Sequence, residues 1–194
     1  MGSFRKLSKA QLRQRAEDQQ DPAWLAWVSG MDAALEIFFA VDMPDMPDDP
    51  FSMEGVTRTE QAAMARFSSA EAVLEPENAT VADRFHRYIG EAFVRSFEGR
   101  WMNVQVTGEP GEDRSFHGRG FSPVVREPFT ESYTDVASML FMAVCRRTGH
   151  EWSSIYAYSE EDHAAWQADA GRHSTKWKLL RQWPEAMRGG VRPE

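Results

Sequence analysis

TVADRFHRYIGEAFVRSFEGRW, residues 80–101, reads as one amphipathic helix that stops abruptly and hands over to a strand. Val81, Phe85, Tyr88, Ile89, Ala92, Phe93, Ser96 and Phe97 fall on one stripe at helical spacing. Asp83, Arg84, Arg87, Glu91, Arg95 and Glu98 occupy most of the remainder. Arg87–Glu91, Glu91–Arg95 and Arg95–Glu98 are ordinary i,i+4 or i,i+3 pairs, so the charged side reads as a solvated face. Thr80, with Asp83 three residues on, marks a helix start, and Gly99 is the natural residue just past the end.

Upstream, Asp21-Pro22 is a cap followed by proline at the first helical position. Trp24, Leu25, Val28, Met31, Leu35, Phe38 and Phe39 give a helical stripe to about residue 40, with Gly30 inside it. Residues 1–20 form a polar N-terminal arm or solvated helix. The segment VDMPDMPDDPF, residues 41–51, follows. Its three prolines forbid a regular helix or central strand. Asp42, Asp45, Asp48 and Asp49 place four negative charges in eight residues, with no compensating base within the segment. Thr57 to Glu60 matches a capping box and opens a helix to about Leu74, ended by Pro76.

Downstream, Trp101, Asn103 and Gln105 alternate with Met102, Val104 and Val106, a strand pattern. Residues 108–120 are glycine-rich and charged. Phe121 to Arg126 reads as a second strand, and Pro123 assigns it to a sheet edge. Residues 131–148 form a helix with Val136, Met139, Leu140, Ala143 and Val144 inward, closed by Gly149. Trp152, Ile155 and Tyr156 suggest a short strand or helical turn. Residues 160–183 are helical again, with Trp166, Trp177 and Leu180 inward; the basic Arg172, Lys176, Lys178 and Arg181 are solvated. The fold class is α+β: five or six helices packed on a small antiparallel sheet. One globular domain spans residues 21–187, and residues 188–194 form a mobile tail.

Composition excludes several classes of function. Hydrophobic residues make up 42 %, with seven Trp and twelve Phe, enough for a real core rather than disorder. The net charge of −8 argues against a nucleic-acid binder, which displays a basic face. One cysteine, Cys145, allows no internal disulfide and suits a reducing compartment such as the cytoplasm. No apolar signal region or membrane-length run is present, so a membrane partner is not expected.

Catalytic motifs are missing as well. His86, His117, His150, His163 and His173 include no zinc-type pair; His150-Glu151 begins like HExxH, but Ser154 stands at the second histidine position. Neither metal nor cofactor is expected. His86 reads as a packed core histidine, His117 as a loop histidine, and Cys145 as a small core residue despite its neighbouring arginines. No nucleophile elbow, phosphate loop or dinucleotide fingerprint occurs.

FHRYIGEAFVRSFEGRWMNV (85–104), PVVREPF (123–129) and SYTDVASMLFMAVCRRTG (132–149) together resemble a layout found in small bacterial proteins of toxin-immunity type. The matching positions are Ile89, Gly90, Glu91, Gly99 and Trp101, within residues 80–149. The resemblance implies a non-enzymatic, cytoplasmic inhibitor that binds a cognate bacterial toxin and occludes its active site. The loop carrying Asp42, Asp45, Asp48 and Asp49 suits a basic cleft on such a partner, by steering and by plugging. Two other classes remain open. A chaperone or adaptor for a secreted or assembled partner requires an exposed apolar patch. An enzyme with a dispersed site, built from residues such as His117, Arg119 and Glu91, requires a deep pocket with perturbed titratable groups.

Overall fold

The structure, a computed structural model, describes residues 8–104 and 118–170. Ser8 caps α1 (Lys9–Asp18): its hydroxyl accepts the Gln11 N–H, and the Gln11 side chain accepts the Ser8 N–H. Asp21 caps α2 (Pro22–Ser29) by accepting the Ala23 and Trp24 N–H groups. Gly30 then breaks the expected single helix. α3 (Met31–Ile37) and its π-helical continuation Phe38–Asp42 run at 47° to α2.

α4 (Met53–Arg66) begins at Ser52, ahead of the expected capping box at Thr57. Its Glu60 faces another helix, as described below. The chain extends at Phe67, restarts at the Ser69 cap as α5 (Ala70–Leu74), and makes a 3-10 turn at Pro76–Asn78. α6 (Ala79–Phe97) follows, matching the expected core helix. Its left-handed terminal residue is Glu98, with φ of 56°, and not Gly99.

β1 (Arg100–Asn103), β2 (Pro123–Arg126) and β3 (Thr134–Asp135) form an antiparallel sheet in the order β1-β2-β3. The expectation that β2 lies at an edge is corrected, because β2 is the central strand. Pro123 is tolerated as its first residue, opposite Asn103. α7 (Val136–Arg146) starts only after β3, with Asp135 as its cap. α8 (Glu151–Ala170) absorbs Trp152, Ile155 and Tyr156, which are therefore neither a strand nor a lone turn.

The expected five or six helices are thus an undercount: the described residues contain eight α-helices. Breaks at Gly30 and at residues 67–69 divide two expected helices into four, and the N-terminal arm folds as α1. The sheet remains small, so the architecture is predominantly helical and α+β-like.

α6 lies at the centre. Phe85, Tyr88, Ile89, Phe93 and Phe97 join a core with Phe38, Phe67, Leu140, Trp152 and Tyr156. Much of the opposite side of α6 is covered too, so part of the expected solvated charged face is buried: Asp83, Arg87 and Glu91 are 8, 6 and 0 % exposed, while Arg95 and Glu98 remain exposed. No single helix among the described residues is long and apolar enough to cross a membrane.

Candidate functional site

Three arrangements carry charge or chemistry. The first is the buried polar side of α6. Trp27 and Trp101 donate their indole N–H groups to Asp83 and Glu91, each at 2.7 Å. Arg87 donates to the other Asp83 oxygen at 2.9 Å and to the Trp27 carbonyl at 2.7 Å, with its guanidinium 4.2 Å from the Trp27 ring centre. Arg119 donates to Asp83 at 2.9 Å, and Arg95 to Glu91 at 2.8 Å.

Gly90 makes this packing possible. A Cβ there would stand 1.9 Å from the Trp101 ring. Gly90, Glu91 and Trp101 therefore form one structural unit: the glycine admits the indole, and the glutamate satisfies its N–H. Glu91 is an anchor for Trp101 in this structure. Arg119 is engaged by Asp83, two helical turns or about 12 Å along α6 from Glu91. The dispersed site imagined around Glu91 and Arg119 is not assembled by these contacts. His117 lies outside the described residues, as do Trp177, Leu180, the basic cluster 172–181 and the tail 188–194.

The second arrangement is the acidic loop 41–51. Asp42 is largely buried and paired bidentately with Arg84, the Nη2 contact being 2.9 Å. A compensating base thus comes from α6, where adjacency in sequence could not show it. Arg58 donates to the Asp45 carbonyl at 2.9 Å. Asp49 accepts the Phe51 N–H through its carboxylate and the Ser52 hydroxyl through its carbonyl. Tyr88 donates to the Pro50 carbonyl at 2.6 Å. Gly55 lets that carbonyl sit against α4, where a Cβ would stand 2.1 Å from it. Asp45, Asp48 and Asp49 remain exposed on a segment pinned at both ends.

The third arrangement was not anticipated from sequence. A cleft of about 450 Å³ lies between the 127–135 segment, α7 and α8. Val125 points into the core, and Glu127, two residues further, follows the same side and lines the cleft at 2 % exposure. Thr134 donates its hydroxyl to Glu127 at 3.0 Å, and Ser159 of α8 is a second hydroxyl partner. Burial pushes the Glu127 carboxyl up to about 7, against the pull of those hydroxyls. Phe129, Tyr133 and Trp152 line the walls, and the exposed Ile155 and Tyr158 stand at the rim. Glu127 precedes Pro128 beyond a four-residue strand, and nothing in that local pattern marks it as buried.

Other expected residues resolve individually. His86 is buried, as expected of a core histidine. Cys145 is exposed, a correction to its reading as a core residue; it follows Val144 onto the outer side of α7. Trp166 is partly buried and stacks on His163. Among the described residues, no group of three or more His, Cys, Asp or Glu could hold a metal ion. Comparison of the chain with protein-family models, with curated proteins and with solved structures finds no match.

Proposed function

We propose that this chain is a cytoplasmic, non-enzymatic inhibitor of immunity type. In this reading it neutralises a bacterial toxin by laying an acidic surface over a basic active site. The observation that carries the reading is the construction of the 41–51 loop. Arg84, Arg58, Ser52 and Tyr88 hold it, while the carboxylates of Asp45, Asp48 and Asp49 stay exposed. A loop that is ordered before binding loses less conformational entropy on association. Its charges favour rapid encounter with a basic cleft.

The role of Asp42 differs from that of its neighbours. It supports the loop through Arg84, and the three exposed aspartates meet the partner. The test is co-expression with affinity capture from the source organism, using wild type and the triple variant D45N/D48N/D49N. The expected result is one stoichiometric partner that is toxic when expressed alone, relieved by wild type and not by the triple variant. A triple variant that still captures and neutralises that partner would remove the loop from the interface. Failure to find any toxic partner would remove the immunity reading itself.

A further inference from the structure

Buried carboxylates in this molecule have strong donors. Asp83 has an indole and two guanidiniums, Glu91 an indole and one guanidinium, and Asp42 a bidentate arginine. Glu60 accepts two backbone N–H groups at the start of α8. Glu127 is different. It is as deeply buried, yet its partners are the hydroxyls of Thr134 and Ser159 and its own backbone N–H, and no cation pairs with it among the described residues. It also lines an open cleft, which those other carboxyls do not.

The remaining acids of the cleft are already engaged or peripheral. Asp135 accepts the Ser138 N–H and hydroxyl, and Glu151 accepts from Arg146 and Thr148. Asp162 is at the exposed rim. The walls around Glu127 are aromatic, Phe129, Tyr133 and Trp152, with Tyr158 at the rim. The volume is that of a small-ligand pocket, and aromatic faces favour a neighbouring cation.

We propose that this cleft binds a primary ammonium group on an apolar stem, with the ammonium on Glu127 and the stem against the aromatic walls. A primary ammonium has three donors on a compact charge. It can bond the Glu127 carboxylate while its remaining donors meet hydroxyl or water oxygens in the cleft. The same chemistry is carried by a free arylalkylamine and by a lysine side chain of a protein. The inference stands apart from the immunity reading, because the cleft shares no residue with the 41–51 loop.

Protonation of Glu127 competes with the ligand, and its raised carboxyl brings that competition to neutral pH. The other titratable or charged groups facing the cleft are Tyr133, Asp135, Arg146, Glu151, Tyr158 and Asp162. His163 stands behind Phe129, 5.6 Å between ring centres. The substitution of Glu127 therefore has to separate its effect from that of His163.

The experiment is calorimetric and NMR titration of the full chain with phenethylamine, its neutral analogue phenethyl alcohol, and Nα-acetyl-lysinamide. Wild type is expected to bind an amine at one site, to ignore the alcohol, and to lose about tenfold in affinity from pH 8 to pH 6. Tighter binding of phenethylamine identifies a free amine, and tighter binding of the lysine amide identifies a protein side chain. Glu127→Gln is expected to lose binding and its pH dependence, whereas a His163→Gln variant keeps both. Tyr158→Ala, at a 71 % exposed position, is expected to weaken binding several-fold without loss of fold. No amine binding at millimolar concentration, equal binding of the alcohol, or unchanged binding by folded Glu127→Gln would each overturn the proposal. Should Glu127→Gln not fold, unchanged binding by Tyr158→Ala or the absence of pH dependence would do so.

Discussion

Glu127 and Glu91 are both removed from water, and they differ in what faces them. Glu91 meets an indole N–H and a guanidinium; Glu127 meets two hydroxyls and its own backbone N–H. Burial raises the Glu127 carboxyl from 4.5 to about 7, so the folded state holds that proton more tightly than the unfolded chain. The stabilising contribution is complete below about pH 4.5 and is lost as pH rises through 7, with an upper limit of about 3 kcal/mol. Urea unfolding at several pH values should show wild type losing stability relative to Glu127→Gln between pH 5 and 7.5. Parallel curves would show that the carboxyl is not perturbed. Gly90 offers a second test at this scale. Gly90→Ala drives a methyl group into the Trp101 ring, 1.9 Å from its nearest atom, and should cost about 3 kcal/mol. Trp101 emission should shift to the red as the ring is displaced.

At the scale of elements, α4 and α8 are joined by a cap supplied from outside the capped helix. Glu60 accepts the Glu151 N–H at 2.8 Å and the Trp152 N–H at 3.0 Å. Glu60→Ala leaves both amides without that acceptor and should lower stability by about 2 kcal/mol. Hydrogen exchange at Glu151 and Trp152 should accelerate first; if these amides keep their protection, the cap is dispensable. The local sequence misleads here in a physically instructive way. Thr57 and Glu60 have the spacing of a capping box, but Ser52 already supplies the cap of α4 and Glu60 serves another helix. Caps with local partners were legible, as at Asp21-Pro22, and so was the stripe of α6. The burial of Asp83, Arg87 and Glu91 was not, because Trp27 comes from 56 residues away and Trp101 folds back from β1 to donate to the two carboxylates. The Glu127 cleft was invisible for the same reason: it exists only once the 127–135 segment meets α7 and α8.

For the whole molecule, the acidic loop divides into a support and a display. Asp42→Asn should lower stability by about 2 kcal/mol, since it weakens a largely buried pair with Arg84. The combined D45N/D48N/D49N change should leave the melting temperature within a few degrees of wild type. Association with a basic partner should then be slower for the triple variant and lose its steep dependence on salt. Equal destabilisation by both variants would contradict this division of roles.

The join between α1 and the sheet has a further consequence. The Gln19 side-chain amide donates to the Asn103 carbonyl at 2.7 Å and accepts the Asn103 N–H at 2.9 Å. Those backbone groups belong to β1, an outer strand of the sheet among the described residues. One side chain thus imitates a residue of a neighbouring strand and seals a position where another polypeptide could otherwise add. Unprotected sheet borders are templates for self-association. The amide of Gln19 therefore occupies the donor and acceptor at that one position, leaving them unavailable to a strand from a second molecule.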